Sequence, residues 1–334
     1  KDVTVKAYGA GAFRGSSANM TTTISNSYSL ATLNANGGYN GFISNVWGGV
    51  TISNSYNAGG AIIADPNRDY VTIENCYQTV NGGTTDSGAT TITADNMKGK
   101  DVFTNAAKMP NLNGNEVFTA QNGFPVLSVF TSLIDTESTP EPTPDPEASK
   151  VWGGQSDLSA PIDSDADGVY EITKGSELAY IIKNGGAGNS YILTEDIYLN
   201  DVDKVNWQDG TKADGYTINS WYGNYESTAF SGKVDGNGHT VFGLYFNIGT
   251  SYGAYYNYTV GLFPAVEGTA EIKNLAVDKA FINYESFAAA FVGLGTAGST
   301  LTIDGCFVGK DVTVKAYGAG AFRGSSANMT TTIS

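Results

Sequence analysis

Residues 22–28 read Thr-Thr-Ile-Ser-Asn-Ser-Tyr, and the recurrence of this pattern decides the fold. It returns as Val-Thr-Ile-Ser-Asn-Ser-Tyr at 50–56 and as Val-Thr-Ile-Glu-Asn-Cys-Tyr at 71–77. Related versions are Leu-Thr-Ile-Asp-Gly-Cys-Phe at 301–307 and Glu-Ile-Lys-Asn-Leu at 271–275. Short β-branched runs that recur every 21 to 31 residues predict a parallel β-solenoid with one coil per repeat, and therefore an all-β fold.

Coils stacked at the inter-strand spacing of about 4.8 Å would align equivalent side chains in columns. We expect an inward aliphatic ladder, an asparagine ladder at a bend, an aromatic stack, and a solvent-facing column directly after the isoleucines. The aliphatic ladder comprises Ile272, Ile303, Ile24, Ile52 and Ile73, and the asparagine ladder comprises Asn274, Asn26, Asn54 and Asn75. The aromatic stack comprises Phe307, Tyr28, Tyr56 and Tyr77, and the solvent-facing column comprises Lys273, Asp304, Ser25, Ser53 and Glu74. Whether the aromatic or the cysteine column faces inward stays open, because the bend resets the alternation.

A second repetition covers a much longer distance. Residues 310–334 repeat residues 1–25 letter for letter, with an offset of 309 positions. Chance does not produce an identity of this length, so it indicates a tandem array of 309-residue modules. Such arrays supply length to structural threads and surface stalks. The predicted partners are therefore neighbouring copies of the same repeat, joined head to tail.

Residues 138–149, Ser-Thr-Pro-Glu-Pro-Thr-Pro-Asp-Pro-Glu-Ala-Ser, form the clearest boundary. Prolines at alternate positions favour an extended spacer and exclude a helix or a central strand. Four parts are predicted. They are the C-terminal half of a solenoid module at 1–137, a Pro-rich acidic linker at 138–150, the N-terminal cap region of the next module at 151–225, and its N-terminal coils at 226–334.

The order of segments along the chain resembles the GLUG-motif repeats of bacterial secreted and cell-surface proteins. The residues that carry this resemblance are Phe230–Leu244 with its Asp-Gly-Asn-Gly-His turn, the stretches 175–185 and 191–199, and the closing segments at 95–98, 101–105 and 123–127. Membership of this family implies a right-handed parallel β-solenoid with short helical caps, located outside the cell or on its surface.

The N-terminal cap has a helical pattern of its own. Leu178, Ile181 and Ile182 share one face, Gly185 ends the pattern, and Ser176 is the predicted N-cap. An amphipathic helix in front of the first coil would cover the open apolar end of the solenoid.

The composition limits the possible binding partners and predicts the state of the cysteines. A net charge of −15 disfavours nucleic acid, which requires a basic surface. No apolar run is long enough to span a membrane. The two cysteines, Cys76 and Cys306, fall in one column but several coils apart, so buried free thiols are predicted. No cofactor is predicted, with calcium as the one candidate ion.

That candidate is the acidic stretch Asp163-Ser-Asp165-Ala-Asp167-Gly168, which begins like a calcium loop. Lys174 stands where such a loop places its bidentate glutamate. Two interpretations are open, a calcium site with Asp163, Asp165 and Asp167 as ligands, or an acidic turn that leads into the strand after it.

Function is predicted to be structural, as the repeat of a long extracellular filament, and not enzymatic. The only histidine, His239, follows a turn and has no identifiable nucleophile beside it. Two alternatives are a β-helix polysaccharide-degrading enzyme, which needs clustered carboxylates, and an adhesin that binds surface glycans through exposed aromatic residues. The tryptophans considered for the adhesin, with core or cap packing as their expected use, are Trp47, Trp152, Trp207 and Trp221.

Overall fold

The fold is taken from a computed structural model of the chain. The structure describes residues 4–7, 9–14, 21–30, 32–35, 40–43, 48–63, 71–79, 88–112, 117–128, 150–249, 258–309, 311–326 and 329–334. Of the predicted linker only Lys150 falls in these ranges, and residues 138–149 lie outside them.

Almost all regular structure is β-strand. The first fourteen strands are β1 Thr4–Ala7, β2 Gly9–Arg14, β3 Thr21–Ser25, β4 Tyr28–Ser29, β5 Thr32–Ala35, β6 Asn40–Ile43, β7 Val50–Ser53, β8 Tyr56–Asn57, β9 Ala61–Ile63, β10 Val71–Glu74, β11 Tyr77–Gln78, β12 Thr90–Thr91, β13 Phe118–Thr119 and β14 Val126–Leu127. A 3₁₀-helix lies at Ala94–Met97.

The second half of the chain contains the one α-helix of the described residues. Its elements are β15 Val169–Ile172, α1 Gly175–Asn184, β16 Ser190–Leu193, β17 Ile197–Tyr198, β18 Phe230–Asp235, β19 Thr240–Phe242, β20 Tyr245–Gly249, β21 Thr259–Val260, β22 Phe263–Lys273, β23 Ala276–Asp278, β24 Ala280–Tyr284, β25 Phe287–Ala289, β26 Val292–Gly295, β27 Thr300–Asp304, β28 Phe307–Val308, β29 Val312–Lys315, β30 Gly318–Gly320, β31 Arg323–Ser326 and β32 Thr330–Ile333.

The strands stack in parallel, layer on layer, with the repeats in register. Ile272 pairs with Ile303, Ile303 with Ile333, and Ile24 with both Ile333 and Ile52. Ile73 closes the column by pairing with Ile52. Apart from Ile73 these side chains are at most 2% exposed, so the predicted inward isoleucine ladder is confirmed. The chain is all-β and built of parallel sheets, and β13 with β14 is the antiparallel exception among the paired strands.

The predicted asparagine ladder lies at the bend that follows each isoleucine. Asn26, Asn54, Asn75 and Asn274 all adopt a left-handed backbone, with φ between 46° and 52°, and Gly305 takes the same position with φ 57°. Asparagine and glycine tolerate this conformation better than other residues do. The Asn54 amide donates to Asn26 Oδ1 at 3.5 Å, and the Asn75 amide donates to Asn54 Oδ1 at 3.4 Å.

Beyond the bend the alternation turns the cysteines inward and the aromatic residues outward. Cys76 and Cys306 belong to the same buried cluster as the isoleucines. Tyr28, Tyr56 and Tyr77 pack instead beneath residues 97–112 and 117–127, which cover them with Met97, Val102, Met109, Leu112 and Leu127 among others. The structure thus decides the orientation that the sequence left open, and the predicted closing segment is the cover of the aromatic column.

The helix α1 packs its predicted face into the main core. Leu178, Ile181 and Ile182 are at most 1% exposed, and the helix ends at Gly185 with φ 83°. The predicted N-cap was wrong, because the N-cap is Lys174 and Ser176 lies inside the first turn. Glu177 Oε2 accepts hydrogen bonds from Thr173 N at 2.7 Å and Thr173 Oγ1 at 3.0 Å, so a glutamate supports the helix start in place of a serine cap.

Candidate functional site

The two identical 25-residue segments lie directly on one another. In β1 with β29, in β2 with β30 and β31, and in β3 with β32, every pair in the register joins a residue to its own copy 309 positions away. Thr4 faces Thr313 and Ile24 faces Ile333. We call this contact the seam, formed by the described residues within 4–25 and 312–334. The segment is therefore complementary to itself in a parallel, in-register arrangement.

The seam is packed like the interior of the rest of the molecule. The rings of Phe13 and Phe322 stack at 4.8 Å with an interplanar angle of 6°, and Phe322 stacks in turn on Phe291 at 5.1 Å and 13°. All three rings are at most 5% exposed. Ala321 N donates to Ala12 O at 2.9 Å between the two copies. Each aromatic stack contributes about 0.5–1.5 kcal/mol beyond the burial of its area.

The sequence analysis did not predict this inner phenylalanine column. The available signal was a Gly-x-Phe or Ala-x-Phe element ahead of most of the isoleucines, at 261–263, 289–291, 11–13 and 320–322. Gly261 shows why the first position must be small, since a Cβ there would lie 2.7 Å from Phe291 O. Ala289 occupies the equivalent position, fully buried, and pairs with Gly320 without a break in the ladder.

The outward column after the isoleucines is mixed in charge. Lys273 Nζ lies 3.2 Å from Asp235 Oδ2 in the neighbouring layer, and Ser334 Oγ donates to Asp304 Oδ1 at 2.6 Å. A second cross-layer ion pair joins Lys233 and Glu271 at 3.4 Å. Exposed pairs of this kind contribute about 0–1 kcal/mol each. These contacts join adjacent layers at the surface, and they do not form the opposed carboxylate pair that glycoside hydrolysis uses.

The acidic loop brings its three aspartates together. One carboxylate oxygen from each of Asp163, Asp165 and Asp167 lies within 4.8 Å of the others, and this is the one group of three or more potential ligands found among the described residues. Gly168, with φ 88°, makes the turn. Three carboxylates at this spacing could hold one calcium ion.

The same loop is also satisfied by its own backbone. Asp163 accepts hydrogen bonds from Asp167 N at 3.1 Å and from Gly168 N at 3.0 Å. Glu171, a further oxygen donor near the loop, instead accepts from Ser164 N and Ser164 Oγ, and these bonds hold the pKa of Glu171 below its usual value. This network fits the acidic-turn interpretation, in which the carboxylates order a turn ahead of β15.

His239 and the described tryptophans occupy structural positions. His239 Nδ1 lies 3.4 Å from Asp196 Oδ1, and the same carboxylate oxygen accepts a bond from Thr240 N at 2.8 Å. Trp152, Trp207 and Trp221 are at most 4% exposed, which confirms the expected core and cap packing. Trp47 lies outside the described residues.

Both cysteines are free and buried, as predicted. Burial is the main cause that raises the pKa of the Cys76 and Cys306 thiols to about 12. Cys306 Sγ donates to Asp304 O at 3.4 Å, and Cys76 Sγ donates to Glu74 O at 3.2 Å. Thiols held neutral in this way are poor nucleophiles and poor metal ligands, so they act as small core side chains.

Comparison with known proteins assigns no family. No family model, no curated protein and no solved structure matches the chain. Within the described ranges, no helix has the length and apolar character needed to cross a bilayer.

Proposed function

We propose that the chain is the repeat of a long extracellular or cell-surface filament, built from 309-residue modules that follow one another head to tail. Each module would be a right-handed parallel β-solenoid of the GLUG-motif type, capped by α1 at one end and covered along its aromatic column by residues 94–112 and 117–128. The role is mechanical and not enzymatic, since the ladders and columns resist deformation while repetition sets the length.

The observation that carries this proposal is the seam. Two copies of one segment pair residue for residue, so a layer of this protein accepts an identical layer as its neighbour. Identical layers that stack on one another extend a filament, whereas a single binding or catalytic surface does not require them. The two cross-layer ion pairs support the same role, because they link layers at the surface.

The test is electron microscopy of the native material together with its polypeptide mass on a denaturing gel. A filament requires a thread with a regular axial repeat and a polypeptide many times heavier than 35.0 kDa. Discrete particles with a polypeptide of about that mass would contradict the proposal.

One observation favours glycan binding as a second candidate. Tyr225 is 64% exposed, and its ring stacks on Tyr258 with centroids 5.1 Å apart. Exposed aromatic rings of this kind stack on sugar rings. Saturable binding to a glycan array that is lost in Tyr225→Ala would establish this activity, and absence of binding would remove the candidate.

A further inference from the structure

One ion pair joins two neighbouring layers at the bend between β23 and β24. Lys279 Nζ lies 2.7 Å from Asp311 Oδ2, and the two side chains are only 19% and 24% exposed. Of the ion pairs within the described ranges, this is the one in which both partners are less than a quarter exposed. Ala280 N donates to Asp311 O at 3.0 Å, so the two layers are also joined through their backbones beside the pair. The amine and the carboxylate are thus held in contact and largely shielded from water.

Lys279 occupies a backbone position that suits glycine. Its φ is 51°, in the left-handed region that disfavours a residue with a Cβ. In the preceding layer β19 pairs with β23 through Asp278, so the residue that corresponds to Lys279 is Gly243, with φ 80°. Gly243 N donates to Lys279 O at 2.9 Å, which confirms that the two bends lie on one another. Because glycine would meet the backbone requirement without strain, a lysine at this point indicates a role for its side chain.

A second carboxyl group, that of Asp278, holds the backbone of both partners. Asp278 Oδ1 accepts hydrogen bonds from Lys279 N at 2.7 Å and from Asp311 N at 3.1 Å. A Cβ at position 309 would overlap Asp278 Cγ, so Gly309 makes room for this carboxyl group between the layers. Burial is the main cause that raises the pKa of Asp278 above its ordinary value, so a negative charge is disfavoured there. The carboxylate that pairs with the lysine is therefore that of Asp311, and Asp278 positions the two residues.

We propose that Lys279 and Asp311 are the site of an intramolecular isopeptide bond, which joins the two layers covalently. A proton first passes from the Lys279 ammonium to the Asp311 carboxylate. The neutral amine nitrogen then forms a bond to Asp311 Cγ, the bond from Cγ to its hydroxyl oxygen breaks, and the hydroxyl leaves with one amine proton as water. Atoms and charges balance, because an ammonium and a carboxylate become one neutral amide and one water molecule.

The arrangement favours this step in two ways. Reacting groups that a fold holds in contact behave as if present at effective concentrations of about 10⁵–10⁸ M. The product also replaces two charges that are mostly withdrawn from water, where each charge loses solvation free energy, by a neutral group. The inference goes beyond the proposed function and does not depend on it. In a filament, the bond would resist separation of these two layers under tension.

The test is mass spectrometry of the folded 334-residue chain, first intact and then after digestion with trypsin. The intact mass should be lower by one water molecule than the mass that the sequence requires. In the digest, residues 274–310 should be joined to residues 311–315, without cleavage after Lys279. Lys279→Arg is the matched control, because a guanidinium keeps the positive charge but does not form the amide. This variant should show the full mass and no joined peptides.

The full mass in the original chain, or water loss in only a minor fraction of it, would overturn the proposal. So would a loss of water that persists in Lys279→Arg, since an Asp-Gly sequence such as Asp304-Gly305 can also lose water by closing a cyclic imide. Two further variants test the positioning by Asp278. Asp278→Asn keeps an oxygen for both N–H groups and should retain the joined peptides, whereas Asp278→Ala should lose most of them. Equal amounts of joined peptides in these two variants would overturn the role assigned to Asp278.

Discussion

The isoleucine column and the aromatic column come from the same repeats, but their side chains are buried in different ways. The isoleucine column passes through the seam without interruption, and Ile303, Ile333, Ile24 and Ile52 are each buried between equivalents in the layers on either side. The tyrosines are buried because a segment outside the repeats, residues 97–112 and 117–127, covers them. Repetition alone is thus sufficient to bury an inward column. Burial of the aromatic column depends on one non-repeating segment, so the members of that column are not equivalent.

Truncating the inward column should have the largest effect. Ile303→Ala removes a fully buried side chain between Ile272 and Ile333, and we expect a loss of about 2–5 kcal/mol in the free energy of unfolding. Denaturant unfolding measures it. The neighbouring half-buried Thr302 is the control, with Thr302→Ala expected to cost about 0.5 kcal/mol. Equal losses in both variants would show that the isoleucine column is not the main stabilising element.

The aromatic column allows a sharper comparison within one residue type. Tyr56→Phe removes the hydroxyl that donates to Pro125 O, and should cost about 1–2 kcal/mol because a buried carbonyl loses its partner. Tyr28→Phe removes a buried hydroxyl without a partner among the described residues, so we expect no loss or a small gain. Thermal unfolding of the two variants side by side is the measurement. A larger loss for Tyr28→Phe would contradict the difference drawn between these two positions.

The stability of the bend between the two columns should depend more on the backbone conformation of its asparagines than on the hydrogen bonds between their side-chain amides. Asn54 has φ 46°, and its side-chain contacts to Asn26 and Asn75 are long, at 3.5 and 3.4 Å. We expect Asn54→Ala to be less stable than Asn54→Gly by about 1 kcal/mol, because alanine is strained in the left-handed region. Equal destabilisation in the two variants, measured in urea, would assign the role of Asn54 to its side chain.

The acidic loop, which lies outside both columns, should show the smallest effect. Its carboxylates already accept backbone hydrogen bonds, so removal of calcium with EGTA is expected to leave the melting temperature unchanged. Asp165→Ala, which would remove one of three possible ligands, is the companion variant. A melting temperature that rises with added calcium in the original chain, but not in Asp165→Ala, would establish the calcium interpretation instead.

Much of the fold followed from residues that recur. Ile24, Ile52 and Ile303 could be placed in one column because each stands at the same point of a β-branched run, and strand stacking aligns equal positions. Asn26 and Asn54 could be placed at a bend because asparagine tolerates the left-handed backbone found there. The start of α1 was misplaced because Glu177, and not a serine, supplies the oxygen that supports it, and several residue types can provide such an oxygen.

By itself, the sequence determined that the chain is all-β, that its strands recur, and that one 25-residue segment occurs twice. These properties depend only on which residues occur and how they are spaced along the chain. Only the tertiary structure decided that the two identical segments pair in register and that the tyrosines lie outward beneath residues 97–112 and 117–127. The reason is physical, since a bend resets the alternation of side chains and burial of an outward face depends on what another part of the chain places over it.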